Sequence, residues 1–264
     1  MKVAIIGGGV MGEAILAASL DRGVFQPGDV TVSDIIEYRR NQLHTEYRVS
    51  VTASATEAMQ GADLTLLCVK PQDLHSVHGA LAPDSLLLSI MAGVRIASLA
   101  SDFKHDRIIR VMPNTPAAAK AGMSVWTATP AVSLEQQDLA RTLLGSIGRE
   151  LYLADEAKLD MVTAVSGSGP AYVFLFIEAT IDGAVSIGLP RAQAQEIVLQ
   201  TFFGSAVYAR ESGRSPADLR AMVTSPAGTT AAGLLELERA GLRAAIIDCI
   251  RAAYDRAVEL GGPA

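Results

Sequence analysis

The apolar positions of this chain follow two regimes that change near residue 154. Up to Leu153, short apolar runs alternate with stretches of helical spacing. Lys2 to Ile6, Val30 to Ser33, Leu64 to Val69, Leu86 to Ile90, Arg107 to Met112, Met123 to Ala128 and Glu150 to Leu153 read as strands. Leu64 to Val69 and Leu86 to Ile90 are apolar without alternation, as strands buried on both faces are. Between the strands lie helical patterns such as Met11 to Leu20, ending near Gly23, and Leu134 to Ile147, stopped by Gly148. This alternation predicts an α/β fold, a doubly wound sheet of Rossmann type over residues 1–153.

From about Asp155 the strand signal vanishes. Gly188 and Pro190 separate two long helical patterns, Ser215 and Pro216 supply an N-cap and a first-turn proline, and Gly241 closes another helix. Residues 154–264 are thus expected to form an all-helical domain. Ala171 to Ile181 is apolar around most of its circumference, and such a helix must be buried. A helical half of this size has too little interior to bury it alone, so the pattern predicts an oligomer built through this half.

Composition narrows the class. The chain has 264 residues, 50% of them apolar, and a net charge of −6, which argues against a surface for nucleic-acid phosphates. Lys2 and the apolar run after it imitate an export signal, but three consecutive glycines and Glu13 interrupt it. Glu178 breaks the stretch nearest to membrane-spanning length, Ala171 to Ile181. A soluble, cytoplasmic chain is expected. Cys68 and Cys249 lie far apart in apolar surroundings and read as reduced and buried. His75 and His78 lack further nearby ligands, so no metal site is expected.

The most telling stretch is the glycine cluster after the first strand. In the pattern G-x-G-x-x-G, Gly7 allows a tight turn, Gly9 lets backbone approach a pyrophosphate, and Gly12 lets helix and strand pack closely. The helix that follows presents unpaired N–H groups to the anion. Asp34, at the end of the second strand, stands where an acidic residue accepts from an adenosine ribose hydroxyl. Asp34 would repel a 2′-phosphate and favour NADH, whereas Arg39 or Arg40 would accept that phosphate if folded back, so NADPH and NADH both stay open.

Further candidates follow the later strands, where ligands of open α/β sheets bind. Val69-Lys70-Pro71, then Ala92 with Gly93, then Asn114 and Thr115 between two prolines occupy those ends. In the helical half, residues 165–172 (VSGSGPAY) lack the first glycine and the leading strand of a serine-hydrolase elbow. Residues 224–230 form a glycine-containing turn before a helix, suited either to a carboxylate or to ordinary capping by Ser225 or Thr229.

The ordered set IIGGGVMGEAI, LLCVKPQD, SIMAGV, RVMPNTPA, VTAVSGSGPAYVF, GLPR and VTSPAGTTAAGL resembles the pyrroline-5-carboxylate reductases over nearly the whole chain. The resemblance implies reduction of 1-pyrroline-5-carboxylate to L-proline, the last step of proline biosynthesis, with NADPH or NADH. It implies cofactor contacts at Gly7, Gly8, Gly9, Val10, Met11 and Gly12, at Asp34, at Val69, Lys70 and Pro71, at Ala92 and Gly93, and at Asn114. It implies substrate contacts at Glu156, Ser225, Gly228, Thr229 and Thr230, with the Thr230 hydroxyl as proton donor or relay. It also implies a homodimer or a ring of dimers with a small-molecule substrate, while the acidic charge and the lack of an uncharged stretch of spanning length already leave neither nucleic acid nor membrane as an expected partner. Ala227 departs from the family, which usually has a glycine there; if that position needs a positive φ, alanine is strained. Two other readings remain: a β-hydroxy-acid dehydrogenase, for which Lys158 has no glycine-rich lead-in, and a dinucleotide sensor without catalysis.

Overall fold

The computed structural model describes residues 1–261, so that residues 262–264 of the expected second domain lie outside them. The strand pattern becomes an eight-stranded sheet: β1 (Val3–Ile6), β2 (Val30–Ser33), β3 (Ser50–Thr52), β4 (Leu64–Leu67), β5 (Leu86–Ser89), β6 (Ile108–Met112), β7 (Gly122–Ala128) and β8 (Gly148–Tyr152). Their order is β3-β2-β1-β4-β5-β6-β7-β8, and every neighbouring pair is parallel except β6 with β7. The exception has a local cause, because the connection 113–121 is shorter than the dozen or so residues that a parallel crossover takes. The short edge strand β3 lacks an apolar run and was not foreseen.

Helices cover both faces, and alternation along the strands assigns their partners. Val3, Ile5, Leu64, Leu66, Leu86, Leu88, Ile109 and Val111 pack with Ile15 and Leu16 of α1 (Val10–Asp21), Leu43 of α2 (Glu37–Tyr47) and Leu143 and Leu144 of α5 (Leu134–Ser146). The intervening Ala4, Ile6, Leu67, Leu87 and Ile108 meet Ala58 and Met59 of α3 (Ala55–Met59) and Leu99 and Phe103 of α4 (Ile96–Phe103). Period two therefore builds two cores, one on each side of the sheet. The start of α5 is fixed by a capping box between Ser133 and Gln136.

After β8 no strand occurs among the described residues. The helices are α6 (Lys158–Val162), α7 (Gly169–Ser186), α8 (Arg191–Glu211), α9 (Pro216–Met222), α10 (Thr229–Arg239) and α11 (Leu242–Gly261), with a π turn at Thr163–Gly167 between α6 and α7. Two compact units result: Met1–Ser168, joined by the end of the chain from Ala253, and Gly169–Ala252. Residues 154–168 and the last turns of α11 belong to the unit of the sheet.

Within the second unit, α7 has no buried residue, and Phe174, Leu175 and Phe203 are 60%, 65% and 66% exposed. The helix expected to be buried is thus uncovered in the single chain. The continuous helical run Lys158–Ser186 is longer than the apolar stretch read from sequence, and its length and composition would let it cross a membrane. Its first turns, however, sit on the sheet, where Leu159 and Asp160 are buried. Both cysteines are free, but Cys249 is exposed, a correction to its expected burial: the chain's own helices leave that face of α11 open.

Candidate active site

The glycine turn joins β1 to α1 at the sheet's reversal point, between β2 and β4. Gly7 has φ +102°, and a Cβ on it would lie 2.8 Å from the carbonyl carbon of Cys68; one on Gly12 would lie 2.1 Å from the Gly7 oxygen. Both positions are glycine because neighbouring backbone fills the space. Gly9 differs: a Cβ there meets no protein atom within 4 Å. The chain's own packing does not demand a glycine at position 9, whereas the close approach of a diphosphate does. Gly9 also begins α1 without any side chain capping its first turn, so the helix N-terminus is suited to an anion. By this test the residues fit a dinucleotide.

Asp34 closes the turn from β2. Its Oδ2 accepts from the Gly8 amide at 2.9 Å and its Oδ1 from the Ile36 amide at 2.8 Å. Arg39, a candidate for a 2′-phosphate, instead donates from Nε to the Gly8 carbonyl at 2.9 Å, pairs with Glu13 at 2.8 Å and reaches Gln42 at 2.7 Å. Arg40 donates from Nη1 to the Asp34 carbonyl at 2.8 Å. Glu13 also accepts from the Tyr47 hydroxyl at 3.2 Å. Burial, aided by the Glu46 and Glu13 carboxylates, raises the Tyr47 hydroxyl above its ordinary range and keeps it a neutral donor.

A cavity of about 380 Å³ opens beside this turn, lined by Gly7, Gly9, Asp34, Val69, Lys70 and Cys68, among others. The loops after β1, β2 and β4 thus converge on one cavity. Sequence reading missed Ile35, Ile36, Ala53 and Ser76 on its wall; no residue type or spacing marks them. Pro71 starts the short helical turn Pro71–Ser76 behind Lys70, while Val10 and Met11 belong to the first turn of α1. Partial burial pushes the Cys68 thiol up to about 12, so it stays protonated at neutral pH.

Ala92, Gly93 and Asn114 follow β5 and β6, farther along the same carboxyl edge. Gly93, at φ +75°, approaches the backbone of Leu260 and Gly261 at the end of α11. The Asn114 side chain, expected to be presented by its loop, is held by protein: Oδ1 accepts from the Met123 amide at 2.8 Å, and Nδ2 donates to Ser166 Oγ at 3.2 Å. Glu156 Oε1 accepts from the Ile96 amide at 2.8 Å and from Arg110 Nη1 at 2.8 Å. Arg110 and Asp160 were not singled out in the sequence. A charged residue inside the run IIRVM was the available signal.

Ser225, Gly228, Thr229 and Thr230 lie together in the second unit. Gly228 precedes α10, and no side chain caps that helix, so neither Ser225 nor Thr229 performs the ordinary capping. A Cβ on Gly228 would lie 2.4 Å from Ser225 Oγ, and Ala227 has φ +57°, the left-handed conformation that alanine strains to adopt. The turn presents first-turn amides and hydroxyls, a set that binds carboxylates.

The fold, the glycine turn and the cavity at the reversal point define a dinucleotide-dependent oxidoreductase. Residues 2–93 match the family described as NADP oxidoreductase coenzyme F420-dependent, and residues 156–260 match the pyrroline-5-carboxylate reductase dimerisation family. A pyrroline-5-carboxylate reductase of Synechocystis sp. is 43% identical over 99% of this chain and 98% of its own. The structure of 1-pyrroline-5-carboxylate reductase from Streptococcus pyogenes superposes with a TM-score of 0.88 at 34% identity, covering 97% of this chain and 98% of that one. A Plasmodium falciparum pyrroline carboxylate reductase with NADP bound superposes with a TM-score of 0.90 at 28% identity, covering 99% and 98%. The chain belongs to the pyrroline-5-carboxylate reductase family.

Proposed function

We propose that this chain reduces 1-pyrroline-5-carboxylate to L-proline with NADPH or NADH, acting as a homodimer in the cytoplasm. The observation that carries the reading is the cradle at Gly9, a glycine that the chain's packing does not require, in a member of this family. The nicotinamide cofactor supplies the hydride. The protein's task is to hold the two reactants and to manage one proton.

Amides at the start of α1 take the diphosphate, and the lone pairs of Asp34 not used by Gly8 and Ile36 accept from the ribose. Val69 to Pro71, Ala92 with Gly93 and the backbone at Asn114 continue the cofactor surface. The uncapped start of α10, with Ser225, Gly228 and Thr229, holds the substrate carboxylate. The Thr230 hydroxyl relays a proton, giving its own to the ring nitrogen as it takes one from water; the iminium so formed is already electrophilic, so no strong acid is needed. Glu156 contributes indirectly, through Ile96 and Arg110.

The dimer is supported by the match to a dimerisation family and by the uncovered apolar side chains of α7 and α8. The cytoplasm is supported by the chemistry, since a biosynthetic reduction draws on the reduced nicotinamide kept there. Purified protein should oxidise reduced nicotinamide only when the cyclic imine is present, with proline as product. Thr230→Ala should lower turnover by about 10²-fold with nucleotide affinity unchanged. Nucleotide binding without imine-dependent oxidation would overturn the reading in favour of a sensor or another oxidoreductase.

A further inference from the structure

Arg110 is a buried cation in the middle of the sheet, 3% exposed, between Ser89 on β5 and Thr127 on β7, both also buried. Its guanidinium forks to two carboxylates, one in the turn before α6 and one on α6: Nη1 to Glu156 at 2.8 Å and Nη2 to Asp160 at 3.2 Å. Asp160 also faces Arg95 Nη2 at 3.8 Å, and Arg95 Nε donates to the Gly261 carbonyl at 3.1 Å. Glu156 in turn accepts from Ile96, the first residue of α4. Two arginines balance two carboxylates.

The cluster touches the segments that carry the reacting end of the site. Arg95 and Ile96 follow Ala92 and Gly93, and Arg110 precedes Met112 and Asn114 on one continuous stretch. Asp160 precedes the π turn Thr163–Gly167, and π turns within helices occur frequently at functional sites. The β6 stretch and the α6 stretch meet twice more beyond the ion pairs. A Cβ on Gly167 would lie 2.3 Å from the end of the Met112 side chain, and Asn114 donates to Ser166.

We propose that Arg110 is a positioning residue for hydride transfer: its fork, through Glu156 and Asp160, sets the spacing between the 91–96 loop, the 112–114 loop and the π turn. This rests on the reductase reading above. A lysine cannot reproduce the fork, because it offers a point charge where two carboxylates need a planar pair of donors. Misplacing reacting groups by about 1 Å costs roughly 10²-fold in rate.

The test compares wild type, Arg110→Lys and Glu156→Gln by turnover, nucleotide dissociation constant, deuterium isotope effect with 4-deuterated nucleotide, melting temperature and amide exchange. In Arg110→Lys, turnover should fall about 10- to 100-fold while nucleotide affinity changes less than about threefold. The isotope effect on turnover should rise, because hydride transfer becomes slower than product release. Amide exchange should quicken at 91–96, 112–116 and 163–168 while the sheet core stays protected. Glu156→Gln, which keeps one acceptor oxygen for Ile96 and Arg110 but loses the charge, should fall between wild type and Arg110→Lys.

Unchanged turnover and exchange in Arg110→Lys would overturn the proposal. So would a turnover loss that follows the unfolded fraction with no rise in isotope effect. Should Arg110→Lys fail to fold, Glu156→Gln decides by the same isotope and exchange criteria. Inactive wild type refutes the reductase reading instead, and the exchange pattern still judges the positioning role.

Discussion

Arg39 and Gly8 are joined at the glycine turn between β1 and α1: Nε of the arginine donates to the glycine carbonyl at 2.9 Å, while the same guanidinium holds Glu13 at 2.8 Å. A side chain on the helix after β2 therefore fixes the backbone of the turn after β1. Arg39→Met should free the Gly8 carbonyl and leave the half-buried Glu13 without its ion pair. We expect a stability loss of about 1–3 kcal/mol by denaturant titration, with nucleotide affinity weakened several-fold. Unaltered affinity would show that the turn keeps its shape without the arginine.

The glycines should separate binding from folding. Gly9→Val adds a branched side chain where no protein atom lies within 4 Å, so melting temperature should hold while nucleotide binding is lost. Gly12→Val drives a Cβ into the Gly7 oxygen and should impair folding itself. Calorimetry and nucleotide titration on both proteins check the contrast, and tight binding by Gly9→Val would refute the diphosphate assignment.

Asp34 bears on the choice between nucleotides. Asp34→Ser removes a ribose acceptor and a charge that repels a 2′-phosphate. The NADH-to-NADPH ratio of kcat/KM should fall, by roughly tenfold for about 1.4 kcal/mol of lost discrimination. A constant ratio would mean that the carboxylate serves only Gly8 and Ile36.

Ala227 sits at φ +57°, and glycine would adopt that conformation without the steric cost. Ala227→Gly should stabilise the turn by about 1 kcal/mol, offset in part by the greater freedom of glycine in the unfolded chain. Thermal unfolding measures the difference. A clear destabilisation would show that the methyl group packs usefully in the assembled protein.

Cys68 supplies a pH dependence with a definite sign. Burial raises the thiol from its ordinary 9.0 to about 12 in the folded chain. Its contribution to stability is therefore complete below about 9 and is lost as pH rises through that window toward 12, at no more than about 1.4 kcal/mol per pH unit. Subtracting the pH profile of Cys68→Ala from that of wild type isolates the effect from Tyr47, which titrates in the same sense.

The sequence by itself determined what nearest neighbours along the chain decide. Apolar runs at Leu64 and Leu86 specify central strands, the spacing of Gly7, Gly9 and Gly12 specifies a tight turn from strand into helix, and the punctuation after Asp155 specifies helices. Each signal reflects a local steric rule or a period of two or 3.6 residues, and such rules hold before the chain folds. The strain at Ala227 is expected only from the glycine that the resembled family usually has there, on condition of a positive φ, which the structure supplies at +57°.

The tertiary structure decided direction and pairing. The antiparallel β7 follows from a connection too short for a crossover, which apolar patterning does not register. Arg39 holds Gly8 rather than standing free beside a ribose, Asn114 spans Met123 and Ser166, and Glu156 joins Arg110. These partners lie 31, 9, 52 and 46 residues apart. Buried polar groups must find partners, but which partner each one finds depends on the order of the strands and the position of α6. That information exists only once the sheet has assembled.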